Sequence, residues 1–493
     1  MVLSLVALFL ASPSVDVQQM LTRLVEASGV PGAAVVHVKA DGRLETHYAG
    51  LAEKGTSRAV SPSTLFHAAS LSKQITAWAA LGLAERGELD LDRPLDQYVG
   101  GVVEPDDFSR SITARHVLSH ASGLPNWRNQ KFGMRAHFKP GSQFSYSGEG
   151  YVWLSKVIEK ITGTDFETYV RATVFVPLQM NSTTFVWKPG LEAVAVVGHD
   201  LHGRATSRRG SEKANAAASL LTTAGDYGRF LKAVMGGPAA MYQPTVKVTR
   251  KCASCLGSDA ADLPAAFSWG LGWALWNHNG QTEFFQWGDN GSFKAFVTGD
   301  RKRGEAVAIF TNSEGGMGIV PPVVQALGFD PAPVDQWLRY ERYDSSRTAL
   351  SKRAEQRLVA GDNEGLADVL REWLRSEPDN RPVRKVLELV ETNKMPRRSP
   401  AGNAVFQLSG HSDAKSVVVT GSFNEWHRFQ FPMEKGNRGW ATRLQIPAGR
   451  YTYMFIVDGK WITDPENKEQ ETNASGNSNS VLVVQSSPSQ EQP

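Results

Sequence analysis

Cysteine is almost absent from this 493-residue chain: there are two, Cys252 and Cys255. Two thiols cannot close an all-cysteine tetrahedral zinc site, and the pair lacks the strand-helix-strand context of a redox motif. A local disulfide or two idle thiols is the expectation. Long apolar runs are missing too: nothing approaches the ~18 consecutive apolar residues that cross a bilayer, so no membrane span is expected. Charge of one sign is scarce, with 53 basic against 50 acidic residues and a formal charge of +3. Lysine and arginine are interleaved with acids and form no stripe, which speaks against a nucleic-acid partner. No His-Glu-x-x-His pattern occurs, and neither a metal nor another cofactor is expected.

What is present is core-forming material. With 41% hydrophobic residues and thirteen tryptophans, a chain of this length builds two to four domains. It opens Met1-Val-Leu-Ser-Leu-Val-Ala-Leu-Phe-Leu-Ala, an apolar run followed by small residues and a polar stretch from Asp16. Residues 1–16 read as a signal peptide without the usual basic start, which predicts a periplasmic or secreted protein; a buried N-terminal segment is the other reading. Residues 32–39 and 43–49 flank an Ala-Asp-Gly turn and read as a hairpin. Helical patterns dominate from Leu65 to about Phe230. Strand-like runs return at 267–275, 282–287, 292–298 and 305–311, predicted to join the hairpin in one antiparallel sheet.

Residues 331–393 turn charged and helical. Leu366, Val369, Leu370, Trp373 and Leu374 mark one helix face, and segments 358–374 and 383–390 read as a helix pair acting as a spacer. Residues 394–401, Lys-Met-Pro-Arg-Arg-Ser-Pro-Ala, read as a linker. Alternation resumes at 404–408, 416–420, 440–446, 451–457 and 480–484, the pattern of a β-sandwich over 402–485. The tail 486–493 has nothing to bury and is expected to be disordered.

Chemistry enters at Phe66-His-Ala-Ala-Ser-Leu-Ser-Lys, where Ser70 and Lys73 stand three apart and share a face if a helix begins there. A serine hydroxyl is a poor nucleophile until a base takes its proton. A lysine serves as that base only when desolvation or a neighbouring cation lowers its pKa, and the apolar helix that follows offers desolvation. The Ser70 N–H at such a helix start can also face a developing oxyanion. Ser-x-x-Lys alone arises by chance in many chains. Here it is followed, in order, by Gly87-Glu-Leu-Asp-Leu-Asp-Arg-Pro, Ile112-Thr-Ala-Arg-His-Val-Leu-Ser-His-Ala-Ser-Gly-Leu, Pro140-Gly-Ser-Gln-Phe-Ser-Tyr-Ser-Gly, Leu220-Leu-Thr-Thr-Ala-Gly-Asp-Tyr and Phe310-Thr-Asn.

Over residues 17–330 this series resembles the serine β-lactamase-like hydrolases, which include class C β-lactamases, D-alanyl-D-alanine carboxypeptidases and related esterases. The resemblance implies an α/β (α+β) domain, an antiparallel sheet flanked by helices with a helical subdomain, and an acyl-enzyme in which Ser70 is the nucleophile and Lys73 its base. The family's Tyr-x-Asn falls on Tyr146-Ser-Gly148. Tyr146 would pass protons if nearby positive charge lowers its pKa, whereas Gly148 lacks the amide. The Lys-Thr-Gly or His-x-Gly motif falls on Gln286-Trp-Gly288; Gln286 can hydrogen-bond but carries no charge, and the Asp289 N–H would be the second oxyanion donor. Lys294 could supply the missing charge, though it reads first as a solvated strand-end lysine.

The altered residues Gly148 and Gln286 favour cleavage of a small-molecule or peptide ester or amide over a β-lactam. A catalytically degenerate binding or scaffold protein that reads glycans is the competing class. His67, His116 and His120 invite a Ser-His reading and His199 with Asp200 a metal, but the resemblance makes the helix of His116 and His120 mainly architectural and no His-Glu-x-x-His pair supports the metal.

Val418-Val-Thr-Gly-Ser-Phe-Asn-Glu-Trp, Gly439-Trp, Gly449-Arg-Tyr-Thr-Tyr-Met-Phe-Ile-Val-Asp-Gly-Lys-Trp and Asp464-Pro resemble the glycogen-binding module of AMP-activated protein kinase β subunits, an immunoglobulin-like β-sandwich. The resemblance implies an α-glucan partner, with Trp426, Trp461 and Asn479 as sugar contacts: flat indoles pack on sugar C–H faces and polar groups satisfy hydroxyls. Met454, Ser475 and Asn477 depart from the family's lysine, leucine and threonine, and a docking role without sugar is the alternative.

Overall fold

The computed structural model describes residues 16–128, 132–206, 210–250, 256, 262–263, 266–428, 430–472 and 478–485. The apolar start, Cys252, Cys255, Ser475, Asn477 and the tail lie outside them. Two compact units emerge, one holding the chain to Trp127 and Met134–Tyr343, the other holding Arg128–Gly133 and Asp344 onward.

In the first unit Asp16 Oδ1 accepts from the Gln19 N–H at 3.0 Å and caps the helix Val17–Ser28. Eight antiparallel strands follow one another across a single sheet in the order Leu44–Gly50, Gly32–Val38, Glu305–Thr311, Lys294–Asp300, Gln281–Asp289, Ala274–His278, Phe267–Trp269 and Val246–Lys247. The N-terminal hairpin thus joins the later strands as expected, with Val36 opposite Ala308 and Thr46. The strand expected over 267–275 is two strands. Gly272 turns the chain between them at φ 101°, and a Cβ on Gly270 would lie 2.2 Å from the Met241 carbonyl oxygen.

Helices cover both faces of the sheet. Ala34, Val36 and Val38 point into a core shared with Tyr227, Phe230 and Leu231 of the helix Ala224–Met235. Ala33 and Val35 point into a second core with Leu21, Leu24 and Val25 of the first helix and Val320, Val323 and Val324 of the helix Val320–Ala326. Because successive strand side chains face opposite ways, the unbroken small and apolar positions from Gly32 to Val36 record burial on both sides. A helical subdomain adds Val117, Trp153, Leu154, Val157 and Phe166 to the first core. The short strand Phe66–Ala69, paired with Leu220–Thr222, leads into the helix Ser72–Glu85.

The second unit begins with three helices, Ser346–Ala360, Asn363–Ser376 and Arg381–Glu391. The helix expected over 358–374 is broken at Gly361, whose φ is 70°, and Asp362 restarts it by accepting from the Gly365 N–H at 2.9 Å. Within the expected linker, Arg397–Arg398 pair with Leu444 and Gln445. The sandwich that follows has two sheets. One is built on Gly439–Gln445 and Ala404–Ser409; the other sets Val417–Gly421, Gly449–Val457, Ser478–Val484 and Gln470–Thr472 side by side. Phe406, Leu408, Val419, Leu444 and Phe455 fill the space between them.

Candidate active site

The strand Phe66–Ala69 delivers Ser70 to the turn before the helix Ser72–Glu85. Ala69 is held at φ 48°, a left-handed conformation that costs a non-glycine residue roughly 1–2 kcal/mol and persists where its surroundings enforce it. The Lys73 N–H donates to the Ser70 carbonyl at 3.1 Å, closing a turn, and Lys73 Nζ donates to Ser70 Oγ at 3.0 Å. Ser72 turns away: its hydroxyl donates to the Ala69 carbonyl at 2.6 Å and accepts from the Leu220 N–H at 3.0 Å.

Lys73 is 1% exposed. Its Nζ also donates to the Ala217 carbonyl at 2.8 Å and stands 4.7 and 5.8 Å from the ring centres of Tyr146 and Tyr151. Burial brings its pKa down to about 7, and no carboxylate among the described residues offsets that effect. Near neutrality a large share of the side chain is therefore free amine, able to accept the Ser70 proton.

Tyr146 reaches the same hydroxyl from the helical subdomain. Its oxygen accepts from Gln286 Nε2 at 2.8 Å and is hydrogen-bonded to Ser70. The His120 ring stacks on the phenol at 4.1 Å, and its Nδ1 accepts from the Ser147 N–H at 3.0 Å. Burial holds His120 well below the ordinary imidazole pKa, so it braces Tyr146 as a neutral ring. The condition set on Tyr146, that positive charge lower its pKa, is not met. Burial pushes its pKa well above the ordinary value, and the hydrogen bonds from Ser70 and Gln286 only partly oppose it. Tyr146 remains a hydroxyl, a donor and acceptor of protons but not a phenolate.

Gln286 is buried on the strand Gln281–Asp289. A Cβ on Gly288 would lie 2.4 Å from the Ala68 carbonyl oxygen, so glycine is what lets this strand run against the segment before Ser70. Asp289 ends the strand. Its carboxylate pairs with Lys294 at 2.5 Å and accepts from the Tyr340 hydroxyl at 2.7 Å. Lys294 is consequently not the solvated lysine of the sequence reading: it is 6% exposed and its charge is matched. Gly148 opens the helix Gly148–Thr162, and its N–H donates to Asn126 Oδ1 at 3.0 Å.

The other histidines hold structure together. His116 Nδ1 accepts from the Thr113 N–H, His199 Nε2 accepts from the Lys54 N–H, and His67 stacks on Phe293 at 4.0 Å. Asp200 accepts from Arg204.

In the second unit the half-buried indoles of Trp426 and Trp461 lie 6.1 Å apart at 47°. Arg428 stands 5.4 Å from the Trp461 ring. The turn that aims Trp426 has left-handed φ values at Glu425 and Trp426; an ion pair from Lys385 to Glu425 and the 3.6 Å approach of Glu355 Oε1 to His427 Nε2 tie it to the helices. Asn479 is 4% exposed and presents almost no surface.

An amine poised on a hydroxyl one turn away is the equipment of acyl transfer without a catalytic histidine, and the class that this fold and site define is the active-site-serine hydrolase. The chain belongs to the beta-lactamase family, whose model matches residues 17–323. Residues 404–490 match the glycogen recognition site of AMP-activated protein kinase. Penicillin-binding protein 4* of Bacillus subtilis is 32% identical over 158 residues, 28% of this chain and only 34% of that protein's length. Penicillin-binding protein 4 of Amycolatopsis lactamdurans is 26% identical over 312 residues, 57% of this chain and 81% of that protein. The D-alanine carboxypeptidase AmpC of Burkholderia cenocepacia superposes with a TM-score of 0.51 at 19% identity, covering 60% of this chain and 94% of that one, a likeness of fold.

Proposed function

We propose that this protein hydrolyses neutral carboxylic esters through an acyl-enzyme on Ser70, outside the cytoplasm, with its C-terminal sandwich holding an α-glucan. The observation that carries the ester assignment is charge. The third motif presents the neutral Gln286, and Lys294 is committed to Asp289. Penicillins and D-alanyl peptides bring a carboxylate that a free cation would hold by charge-assisted hydrogen bonds; a neutral ester needs none.

In the reaction, neutral Lys73 accepts the Ser70 proton as Oγ attacks the carbonyl carbon. The N–H groups of Ser70 and Asp289 hold the oxyanion. As the C–O bond breaks, the Tyr146 hydroxyl donates its proton to the leaving alkoxide and is reprotonated from Lys73. Water then attacks the acyl-serine, and its proton returns along the same groups to restore Ser70 and release the acid.

A substrate panel tests the assignment. Phenyl acetate is expected to exceed nitrocefin and D-alanyl-D-alanine peptides in kcat/KM by roughly tenfold or more, the size of one missing charge-assisted contact. The reverse ranking overturns it. Tyr146→Phe is expected to lose about 10²-fold on alkyl esters and much less on p-nitrophenyl esters, whose leaving group needs no proton; equal losses on both would remove the donor role.

For the sandwich, retention on amylose is expected to fall about fivefold in Trp426→Ala and in Trp461→Ala. If the unmodified protein passes amylose unretarded, the glucan part of the proposal fails and the hydrolase part stands.

A further inference from the structure

Gly148 stands where the Tyr-x-Asn motif carries its asparagine. Ser147 is extended, with φ −133° and ψ 122°, so positions 146 and 148 direct their Cβ bonds to one face of the chain. That is the face on which the Tyr146 hydroxyl meets Ser70. The space beside Gly148 is already taken by the six-membered ring of Trp127: a Cβ built on Gly148 would come 2.9 Å from Cη2 and 3.0 Å from Cζ2.

The indole is anchored. The carbonyl of neighbouring Asn126 accepts from the N–H groups of Gly148 and Glu149 at 3.0 and 3.1 Å, and Asn126 Oδ1 accepts from the Gly148 N–H as well. Yet Trp127 is 42% exposed, a large apolar surface left in water against Gly148.

We infer that Trp127 determines substrate specificity by offering the free face of its indole to a flat, uncharged apolar group next to the scissile bond, in place of the amide contact that an asparagine would make. The inference rests on the ester-hydrolase reading. An uncharged group fits because Gln286 is neutral and Lys294 is paired. A flat one fits because an indole face rewards offset stacking beyond area burial alone.

Two pairs of probes test it. Phenylmethylboronic and methylboronic acids add reversibly to a reactive serine and need no turnover; benzyl acetate and ethyl phenylacetate, each compared with ethyl acetate, tell whether the group lies on the alcohol or the acyl side. Unmodified protein is expected to prefer phenylmethylboronic acid over methylboronic acid about fivefold, and one of the two benzyl-type esters over ethyl acetate likewise in KM. Trp127→Ala should erase the preference and Trp127→Phe should keep most of it, with the melting temperature of each variant measured alongside. A preference that survives Trp127→Ala, or equal binding of both boronic acids by the unmodified protein, overturns the inference alone. Failure of both boronic acids to bind overturns the serine-hydrolase reading and this inference with it.

Discussion

Ser70→Ala is expected to lower kcat/KM on phenyl acetate by about 10⁴-fold or more, to what binding and the oxyanion donors alone supply. The size follows from the chemistry: without Oγ there is no acyl-enzyme, and Lys73 has only water to activate. Little else should change. Ser70 lies half-buried on a turn, and Lys73 keeps the Ala217 carbonyl as partner, so the melting temperature should stay within a few degrees. The neighbouring Ser72 cannot substitute, since its hydroxyl is engaged by the Ala69 carbonyl and the Leu220 N–H. Retained activity in Ser70→Ala that is lost in Ser72→Ala would move the nucleophile and refute the assignment.

Lys73→Met should lose about 10³-fold, the range for a removed general base, and should also change the shape of the pH profile. With a pKa of about 7, the rate of the unmodified enzyme should climb about tenfold per pH unit below neutrality as the amine loses its proton, then level off. In Lys73→Met that limb should vanish. The substitution should act on stability in the opposite sense to its effect on rate. The folded pKa lies below the ordinary value of 10.5, so the unfolded chain binds the extra proton between about pH 7 and 10.5. Burial therefore costs the fold most below pH 7, and the cost is relieved as pH rises through that window. Lys73→Met is accordingly expected to be more stable than the unmodified protein at pH 7, by on the order of a few kcal/mol, with the gap closing toward pH 10. Parallel urea titrations at both pH values check the sign; a gap that widens with pH would contradict it.

Local geometry made part of this site readable in the sequence. Ser70 and Lys73 meet because one turn of backbone spans them, and Tyr146 could be placed because motifs on either side of it kept their order. Gln286 and Gly288 could be read from a strand pattern ending in a turn. The sheet was legible for the same reason, since alternation and turn residues report directly on strands.

What escaped depends on contacts far apart in the chain. The Ala217 carbonyl that holds Lys73 lies 144 residues away and carries no side-chain signature. Asn126 and Trp127 reach Gly148 across a loop of about twenty residues. The condition placed on Tyr146, a lowered pKa, goes unmet because burial among rings such as His120 at 4.1 Å and Trp287 at 5.0 Å pushes the phenol up. Lys294 looked solvated because nothing in its own segment reveals that Asp289 and Tyr340 enclose it. The helix break at Gly361 was overrun because apolar spacing continues on both sides of a residue whose left-handed φ ends one helix and lets Asp362 cap the next.

The central claim is that Ser70 is acylated because burial keeps Lys73 a free amine near neutral pH. The most direct measurement is intact-mass analysis and peptide mapping after reaction with a fluorophosphonate, followed as a function of pH. A single adduct on the peptide containing Ser70 is expected, forming at a rate that rises through about pH 7 and absent from Ser70→Ala. No adduct, or equal labelling of Ser70→Ala, would contradict the account.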